Sequence, residues 1–538
     1  MKTHKRSKLI DSFSHFSLIV AIILSFILSE QPIQRDASTN TPPVAEDDGG
    51  IITDEATAIL TPNVLENDSD PDHDNLFVQS IDTSHTLGKI SIPLIEGSLD
   101  TSFSDDGMTF QDFNGSGKLG NDISIQPDGK ILIGGGGYGQ FAMARYTPDG
   151  NLDPAFGEDG LVITAVEGTG WRSYTMVLQT DGKIIQGGPA LVGYTLLRYN
   201  PDGSLDDSFG TAGKLVADIG NPYGRINAIA VQPDENILLT GQGKVYPGDF
   251  VLMRYYPNGT MDPNFNGGVP LTINFGGNDE ANGIAIQPDN KIIVVGGTFW
   301  NFIVNFALAR ITPDGTLDYS FNGTGQAITD FGGEERANDV ILQNNGKFIA
   351  AGSGGYGKIV LARYNPDGSL DPTFGEGGKV ITNLNNDTAP TSGNAIAMQP
   401  DGKILFAGSF AEGVLLVRYN QDGTEDVTFG DEGRVLQYLS WPYPNEGRDV
   451  VIQQDAKIVV GGTLGDPNYT NPLMFLARFW GGGKFIYDPS YEFLGLGLGE
   501  EAVDTFNYVV SDGILTDTAT VSITITGLAT NFIPFLLR

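Results

Sequence analysis

One phrase decides the fold: ARYTPDGNLDPAFG, at residues 144–157, returns five more times along the chain. The copies are LRYNPDGSLDDSFG (197–210), MRYYPNGTMDPNFN (253–266), ARITPDGTLDYSFN (309–322), ARYNPDGSLDPTFG (362–375) and VRYNQDGTEDVTFG (417–430). When Arg478 is counted with the arginines of these copies, successive arginines stand 53, 56, 56, 53, 55 and 60 residues apart. A nearly fixed period of this length predicts a repeat architecture.

A second phrase lies midway through each unit, as in IQPDGKILIGG (125–135) and MQPDGKILFAG (398–408). Each unit contains four short strands rich in Ile, Val and Leu, separated by Asp-Gly and similar turns. In the sixth unit the predicted strands are GKVITNL, NAIAMQP, KILFAGS and GVLLVRYN. Seven such units over 97–481 predict an all-β seven-bladed β-propeller. An open β-solenoid, which also stacks short strands, is the alternative.

The repeated arginines are interpreted as structural, because an aspartate follows each of the first six after eight residues. This spacing predicts an Arg–carboxylate pair in every unit. Arg478 has no such partner, and Asp100 has no upstream arginine, so we predict that these two meet and close the ring at about 4 Å. The predicted pairs are Arg145–Asp153, Arg198–Asp206, Arg254–Asp262, Arg310–Asp318, Arg363–Asp371, Arg418–Asp426 and Arg478–Asp100.

The segments that flank the repeats both show alternating strand patterns, as in ATVSITITG (519–527). Each segment has about 50 residues, which is marginal for a sandwich, whereas together they reach the size of an immunoglobulin-like β-sandwich. We therefore predict one split domain, with its first half at 42–93 and its second half at 482–527, into which the propeller is inserted. Two unrelated flanking modules are the alternative.

Both regions resemble known bacterial families. The phrases QPDGKIL, ARYNPDG and LDxxFG together resemble the delta-60 repeat of bacterial secreted proteins, a resemblance that implies architecture and location and no particular reaction. PPVAEDD and VLENDSDPDHDNL before the repeats, with DTFNYVVSDG and TATVSITITG after them, resemble a bacterial cadherin-like or tandem adhesin repeat. This second resemblance supports joining the two flanks.

The acidic loop ENDSDPDHD is the strongest chemical signal in the sequence. Hard cations such as Ca²⁺ take six to eight oxygen ligands, which carboxylate-rich loops supply. The cadherin-like resemblance also implies calcium in this loop, although the loop departs from the EF-hand pattern. A solvated acidic turn is the alternative. The predicted calcium ligands are Asn67, Asp68, Asp70, Asp72 and Asp74.

Charge and composition exclude several classes of function. The chain has 538 residues, 66 acidic against 31 basic, and a net charge of −35. That charge argues against nucleic acid, whose phosphates require Lys and Arg. There is no cysteine, which excludes disulfides, thiolate metal sites and Cys nucleophiles. The four histidines all precede residue 99, so a His-based triad is not expected. No organic cofactor is predicted.

The N-terminus has a basic start followed by the apolar stretch 18–28, the pattern of a secretory signal over 1–29. An uncleaved anchor is the alternative. A polar linker (30–41) follows the signal, and a short apolar tail (528–538) ends the sequence. The mature chain is expected to contain no membrane span, because no other apolar segment is long enough.

The sequence therefore predicts a secreted or cell-surface protein without catalytic activity, which binds an extracellular ligand such as a polysaccharide or a cell-surface protein. The alternative is an extracellular carbohydrate-active enzyme that uses propeller-loop carboxylates. The loops with Trp171, Trp300 and Trp441 depart most from the repeat, and exposed aromatic rings there would stack on sugars. Core packing is the other interpretation of these three side chains.

Overall fold

The computed structural model describes residues 41–54, 59–61, 64–65, 67–71, 77–82, 84, 86–87, 89–91, 96–113, 118–137, 139–166, 175–189, 194–217, 225–243, 248–301, 303–355, 357–384, 391–439, 445–465, 471–482, 486–489, 493, 496, 499–511 and 515–526. The predicted signal segment and C-terminal tail lie outside these residues. Within the described ranges, no helix is long and apolar enough to cross a membrane.

The described part of the chain consists almost entirely of strands. The first five are β1 (Asp48–Asp54), β2 (Ile59–Leu60), β3 (Phe77–Asp82), β4 (Lys89–Ser91) and β5 (Met108–Gln111). The repeats supply β6 (Leu119–Ile125), β7 (Ile131–Gly137), β8 (Gln140–Tyr146), β9 (Leu161–Ala165), β10 (Thr175–Leu178), β11 (Ile184–Pro189), β12 (Tyr194–Tyr199), β13 (Lys214–Ala217), β14 (Arg225–Val231), β15 (Ile237–Gln242), β16 (Phe250–Tyr255), β17 (Leu271–Ile273), β18 (Asn278–Ile286), β19 (Ile292–Trp300), β20 (Ile303–Ile311), β21 (Gln326–Thr329), β22 (Arg336–Leu342), β23 (Phe348–Ser353), β24 (Lys358–Tyr364), β25 (Lys379–Asn383), β26 (Thr391–Met398), β27 (Ile404–Phe410), β28 (Gly413–Tyr419), β29 (Arg434–Gln437), β30 (Asn445–Ile452), β31 (Ile458–Leu464) and β32 (Leu473–Phe479). The last three are β33 (Ile486–Asp488), β34 (Glu501–Ser511) and β35 (Thr516–Thr526), and a single 3-10 turn spans Asn266–Gly268.

Seven four-stranded antiparallel sheets form the blades of the propeller. Blades 1 to 6 take consecutive strands, from β6–β9 to β26–β29, and blade 7 consists of β30, β31, β32 and β5. The first strand of each blade is the inner strand. Each inner strand contacts the inner strands of both neighbouring blades, and β30 contacts β6, so the ring is closed. The predicted all-β propeller is confirmed, and the solenoid alternative is excluded.

The boundary between units differs from the predicted one by one strand. The segment GKVITNL forms β25, which pairs with β24 as the outer strand of blade 5 and does not open blade 6. The physical reason is the turn at Asp371–Gly378, which reverses the chain beside β24 and leaves β25 next to the strand it has just left. The sequence repeat and the blade are therefore out of phase.

Residues from before the repeats complete the last blade. β5 pairs with β32 in register Met474↔Gln111, and the N–H of Asp100 donates to the carbonyl oxygen of Arg478 at 2.8 Å. The carbonyl oxygen of Glu96 accepts the N–H of Gly430 at 2.8 Å, as that of Asp202 does for Gly157 in the first repeat. The segment 96–111 thus replaces the turn and outer strand that blade 7 lacks in its own sequence.

The core lies between the blades. Every residue of β7 is buried, as is nearly all of β8, because both faces of a middle strand are covered by neighbouring blades. One cluster joins Ile133 of blade 1 to Val459 and Leu476 of blade 7. This burial on two faces explains why the middle strands are continuously apolar and do not alternate.

The two flanking segments form one β-sandwich. One sheet has the order β1-β35-β34-β3 and the other the order β2-β33-β4, so each sheet contains strands from both flanks. The side chains of β35 alternate, with Ala519, Val521, Ile523 and Ile525 facing the core. Because the strands before the repeats pair with strands after them, neither flank completes a sheet without the other.

Replacing Gly368 with alanine is expected to lower the free energy of unfolding by about 2–3 kcal/mol. Gly368 has a φ of +88°, and a Cβ there would lie 2.8 Å from the ring of Phe321 in the preceding blade. Gly377 is the matched control, because its φ is +59° but nothing lies within 4 Å of a Cβ. Gly377→Ala is expected to lower the free energy of unfolding by about 1 kcal/mol. Equal losses in urea unfolding would contradict the contact with Phe321.

Candidate functional site

The predicted calcium loop is described in part. Asn67, Asp68 and Asp70 are placed, and the other two predicted ligands, Asp72 and Asp74, lie outside the described residues. Asp68 and Asp70 are buried, whereas Asn67 is exposed. Asn67 donates its Nδ2 to the carbonyl oxygen of Glu46 at 3.1 Å, and the loop is tied to the first segment by a Val44–Ser69 backbone bridge.

The carboxylate of Asp68 is held among other acidic groups. Its Oδ1 accepts the N–H of Glu46 at 2.8 Å, and its Oδ2 accepts the hydroxyl of Tyr508 at 3.1 Å. Burial raises the pKa of Asp68 to about 6, although these two hydrogen bonds favour its charged form, and the negative charge of Asp517 adds to the rise. A bound cation would reverse this rise.

The donor chemistry of the loop fits calcium, since the placed ligands are oxygen donors and two are buried carboxylates. Among the residues that the structure describes, however, no group of three or more acidic or histidine side chains is arranged to hold a metal ion. The described part of the loop therefore does not by itself make a complete coordination shell.

The sandwich meets the propeller at the face where the inner strands end. Ala456, in the turn after β30, packs into the sandwich core with Val64 and Leu65. A cavity of about 820 Å³ opens between the two, lined by Leu65 and Asp68 on one side and by Gln126, Gln453 and Lys457 on the other. The acidic loop therefore faces the propeller.

The structure places the predicted Arg–Asp partners next to each other in every blade. The guanidinium Nε donates to the aspartate Oδ2 at 2.6–2.8 Å in all seven pairs, including Arg478 with Asp100 at 2.8 Å. Six of these arginines also donate Nη1 to a backbone carbonyl in the turn of the next blade, as Arg145 does to Pro201 at 2.5 Å. Each of these six pairs consequently joins two blades.

Two further residues contact these Arg–Asp pairs, a lysine and a phenylalanine, and the sequence analysis did not identify them. In six blades, the lysine of the DGK phrase or its equivalent lies within ion-pair distance of the same aspartate, as with Lys347 and Asp371 at 3.1 Å. The phenylalanine of the LDxxF phrase lies under the guanidinium at 4.5–5.0 Å. The signal was present, because a phenylalanine follows each of the first six arginines after 11 residues and the lysine recurs within the DGK phrase or its equivalent.

The central channel carries a second feature that the sequence analysis did not single out. In six inner strands a β-bulge interrupts the register at one residue, which is Asn in five of them and Arg448 in blade 7. Asn227, Asn282 and Asn394 each donate Nδ2 to a backbone carbonyl of the next blade, at 2.6–2.8 Å. The bulges thus hold neighbouring inner strands together.

Three aspartates follow these bulge residues: Asp122, Asp339 and Asp449. Asp122 accepts the N–H of Met176 at 2.8 Å, Asp339 that of Ile396 at 3.0 Å and Asp449 that of Ile123 at 2.8 Å, each across a blade junction. All three side chains are half-buried, and each lies between two neighbouring inner strands. The channel is therefore lined by carboxylates that act as ties between blades.

Enclosure raises the pKa of all three channel carboxyl groups. Burial raises the pKa of Asp339 to about 7, and the charge of Asp449 adds to the effect. Burial also raises the pKa of Asp122 and, further, that of Asp449, which share a side-chain hydrogen bond with each other. Two carboxyl groups that share a hydrogen bond retain a proton between them, so these groups are candidates for proton donors.

The opposite face of the propeller, where the inner strands begin, exposes apolar side chains. β19 and β20 are nine residues each and end in a hairpin whose Trp300 is 63% and Ile303 50% exposed. Trp300 is therefore not a core residue. Trp171 and Trp441 lie outside the described residues.

Comparison with protein families agrees with this architecture. A family described as "Domain of unknown function (DUF5122) beta-propeller" matches residues 126–156, 179–209, 232–265, 287–321, 343–374 and 399–429, and one described as "Bacterial Ig domain" matches 40–116. The chain carries six DUF5122 propeller repeats and a bacterial Ig domain. The predicted combination of a repeat propeller with an Ig-type domain is confirmed.

The residues covered by the two family matches differ from the domains of the structure at blade 7. The DUF5122 matches cover blades 1 to 6, and blade 7 is the one whose LDxxF phrase stands at residues 99–103, far from its arginine. The bacterial Ig match continues to residue 116 and so includes β5, which belongs to blade 7. Blade 7 thus takes its strands from both sides of the six matched repeats.

Several solved propeller structures resemble the chain. They include a virginiamycin B lyase from Staphylococcus aureus (11% identity, 69% of this chain and 98% of that chain, TM-score 0.44). An ulvan lyase of polysaccharide lyase family PL25 (12%, 70% and 97%, TM-score 0.39) and Drosophila Plexin A in complex with Semaphorin 1b (10%, 70% and 88%, TM-score 0.39) are also similar. At such identities the likeness concerns the fold alone. No curated protein sequence matches the chain.

Proposed function

We propose that this chain is a secreted or surface-displayed protein that binds an extracellular ligand without catalysis, with the Ig domain presenting the DUF5122 propeller. One observation carries the proposal: the Ig domain contacts the face where the inner strands end, and the opposite face bears the exposed hairpin of Trp300 and Ile303. A bacterial Ig domain and a propeller are together typical of surface or binding proteins. The net charge of −35 argues against a nucleic-acid partner.

The ligand class that we propose for this face is a polysaccharide, with a cell-surface protein as the other possibility. An exposed indole stacks on the apolar face of a sugar ring. Affinity electrophoresis in gels that contain neutral or anionic polysaccharides tests the proposal. Trp300→Ala is expected to lose the retardation of the wild type. Tyr319→Ala is the control, because Tyr319 is 70% exposed on the other side of blade 4. Retardation that is unchanged in Trp300→Ala would contradict this ligand class.

We further propose that Ca²⁺ stabilises the Ig domain through Asn67, Asp68, Asp70, Asp72 and Asp74. The buried carboxylate of Asp68, with its raised pKa and acidic surroundings, supports this assignment. Crowded carboxylates repel one another, and a bound cation would remove that repulsion. The metal would act by fixing the loop against the first strand of the domain and would have no catalytic role.

Calcium is expected to raise the melting temperature of the protein by several degrees, because a ligand at 100 times its Kd contributes about 2.7 kcal/mol. Calorimetric scans with CaCl₂ and with excess chelator measure the shift. The rise should be absent in Asp70→Ala/Asp72→Ala. The control Asp207→Ala/Glu376→Ala makes the same change in charge at exposed propeller positions and should keep the rise. A calcium shift that survives in Asp70→Ala/Asp72→Ala would place the metal elsewhere.

The channel carboxyl groups support a second candidate, an extracellular carbohydrate-active enzyme. A general acid must hold its proton near the working pH, as Asp339 does with a pKa of about 7. Incubation with a panel of polysaccharides, followed by assays for new reducing ends and for unsaturated products, tests this candidate. Activity that disappears in Asp339→Asn and Asp449→Asn would favour the enzyme over the binding protein.

A further inference from the structure

Arginine side chains gather at the propeller face that bears Trp300, around the mouth of the channel. Arg225 is the first residue of β14 and Arg336 the first of β22, and the inner strands that they open surround the channel. Their side chains are 51% and 46% exposed. Neither arginine belongs to the repeated Arg–Asp pairs, which lie buried between the blades. Both guanidinium groups are therefore accessible to a ligand.

Arg225 and Arg336 stand on either side of one carboxylate. Nη1 of Arg225 lies 3.6 Å from Oε1 of Glu280, and Nη1 of Arg336 lies 3.5 Å from its Oε2. Asn227 also donates Nδ2 to Oε1 of Glu280, at 3.2 Å. Among the described residues, these contacts use one nitrogen of each guanidinium, and a guanidinium has five N–H donors. Two guanidinium groups against one carboxylate leave a positive charge in excess, so the pair can bind an added anionic group.

A third arginine lies at the same mouth, in blade 7. Arg448 occupies the bulge position that is asparagine in five other inner strands. Its Nη2 forms an ion pair with Glu446, whereas its Nε is enclosed and meets no acceptor among the described residues. An enclosed N–H without an acceptor costs free energy. A ligand that supplies an oxygen acceptor at the mouth would remove that cost.

The acidic residues that precede Arg336 and Glu280 in the chain are buried or lie away from the channel. The N–H of Glu335 donates to the carbonyl oxygen of Val304 at 2.9 Å, so Glu335 and its neighbour at 334 lie against β20, the third strand of blade 4. Asp279 and Glu335 are buried, and burial raises the pKa of both. The accessible charge at the mouth is therefore mainly that of guanidinium groups, in a chain whose net charge is −35.

The channel carboxyl groups lie deeper than the arginines. Asp339 stands three residues after Arg336 in β22, and burial raises the pKa of Asp339 to about 7. The negative charge of this group near neutral pH is thus smaller than that of an exposed aspartate. An anionic group at the mouth therefore meets the arginines before it meets a fully charged carboxylate.

One strand of blade 4 connects these arginines to Trp300. A Cβ at Gly297 of β19 would lie 3.2 Å from Cγ and 3.4 Å from Nε of Arg336, so that side chain lies across β19. Trp300 is the last residue of the same strand, about 10 Å further along it. An extended chain of sugars can therefore contact the exposed indole and the guanidinium groups together.

We propose that the polysaccharide bound at this face is a polyuronate, whose carboxylates are bound by Arg225 and Arg336 while a sugar ring stacks on Trp300. A planar guanidinium matches a carboxylate with two parallel N–H···O bonds, and it keeps its charge throughout the physiological pH range. Arg448 supplies a further donor at the mouth. The inference rests on the proposed function, because it names the class of polysaccharide for the Trp300 face.

Calorimetric titration of the full chain with polygalacturonate and with its methyl ester tests the inference. The two polymers contain the same sugar, and the ester lacks the negative charge. Excess chelator keeps calcium from bridging the polymer to the acidic residues of the protein. The wild type is expected to bind the acid about 10-fold more tightly than the ester, because hydrogen bonds between charged partners are stronger than those between neutral ones.

Arg225→Gln/Arg336→Gln should weaken the binding of the acid by about 10-fold and leave that of the ester unchanged. Arg448→Gln should also weaken the binding of the acid. The matched control is Lys214→Gln/Lys379→Gln, which removes the same two charges from the outer strands β13 and β25. This control should bind the acid as the wild type does.

Equal binding of the acid and the ester would overturn the inference, as would binding of the acid that is unchanged in Arg225→Gln/Arg336→Gln. The proposed function survives both results if Trp300→Ala still loses its binding of polysaccharide. If Trp300→Ala binds the acid like the wild type while the arginine variant does not, the Trp300 contact fails and the arginine site stands. Tighter binding of dextran sulfate than of polygalacturonate, lost in the arginine variant, would overturn the choice of carboxylate as the bound group.

Discussion

Replacing Arg478 with alanine is expected to lower the free energy of unfolding of the propeller by about 3–5 kcal/mol, the cost of removing one partner of a buried ion pair. The guanidinium of Arg478 and the carboxylate of Asp100 are 5% and 1% exposed, and their atoms lie 2.8 Å apart. Among the described residues, the variant leaves Lys457, at 3.9 Å, as the basic side chain within ion-pair distance of the buried Asp100. Urea unfolding followed by tryptophan fluorescence measures the loss.

The matched control is Arg363→Ala, which removes the equivalent pair with Asp371 inside blade 5. Arg363 and Asp371 belong to one continuous blade, whereas Arg478 and Asp100 join segments that are 378 residues apart. Arg478→Ala should therefore also make residues 96–111 more accessible to proteases than Arg363→Ala does. If the two variants show the same proteolysis at this segment, the pair does not have a special role in closing the ring.

Replacing Asp339 with asparagine is expected to stabilise the propeller at pH 8 by about 2–4 kcal/mol and to have little effect at pH 4. Because burial raises the pKa of Asp339 to about 7, its contribution to stability is complete below about pH 4 and is lost as the pH rises through 7. Asparagine resembles the protonated acid and still accepts the N–H of Ile396 through its Oδ1. The free energy of unfolding of Asp339→Asn should therefore change less between pH 4 and pH 8 than that of the wild type.

At acid pH, the dependence of the free energy of unfolding on pH is set by the Arg–Asp pairs, and it serves as an internal control. The pKa of Asp206, Asp318, Asp371 and Asp426 is held down to about 2, because hydroxyl and N–H donors and the adjacent arginine outweigh the effect of burial. The contribution of these four ionised aspartates to the free energy of unfolding is present above about pH 4 and is lost as the pH falls toward 2. Asp339→Asn should not alter this acid limb. A pH profile identical to that of the wild type at pH 4–8 would contradict the assignment.

The fold was largely predictable because its signals are local and repeated. The arginine-to-aspartate spacing, the Asp-Gly turns and the apolar middle strands recur in unit after unit. A pattern that arises by chance in one copy can therefore be recognised by comparison with the other copies. The residue at which one blade ends and the next begins was not predictable in this way. The strand with which β25 pairs is decided by its hydrogen bonds to β24 and not by the sequence of β25.

The candidate sites were less accessible to sequence reasoning. Asp122, Asp339 and Asp449 are spread over three blades, and only closure of the ring brings them into one channel. The acidic loop, by contrast, is a contiguous cluster of oxygen donors, so calcium binding there could be proposed from the order of its residues alone.

The split Ig domain also has a consequence for biosynthesis. The hydroxyl of Tyr508 donates to the carbonyl oxygen of Val64, 444 residues earlier in the chain, and β1 finds its partner only when β35 has been made. At ribosomal rates of about 5–20 residues per second, the first half of the domain waits roughly 20–90 s for its second half. During that interval β1 and β3 lack the strands with which they pair, and strands with unpaired backbone groups are sites of aggregation. A chaperone that holds the nascent N-terminal segment extended would therefore increase the yield of folded protein.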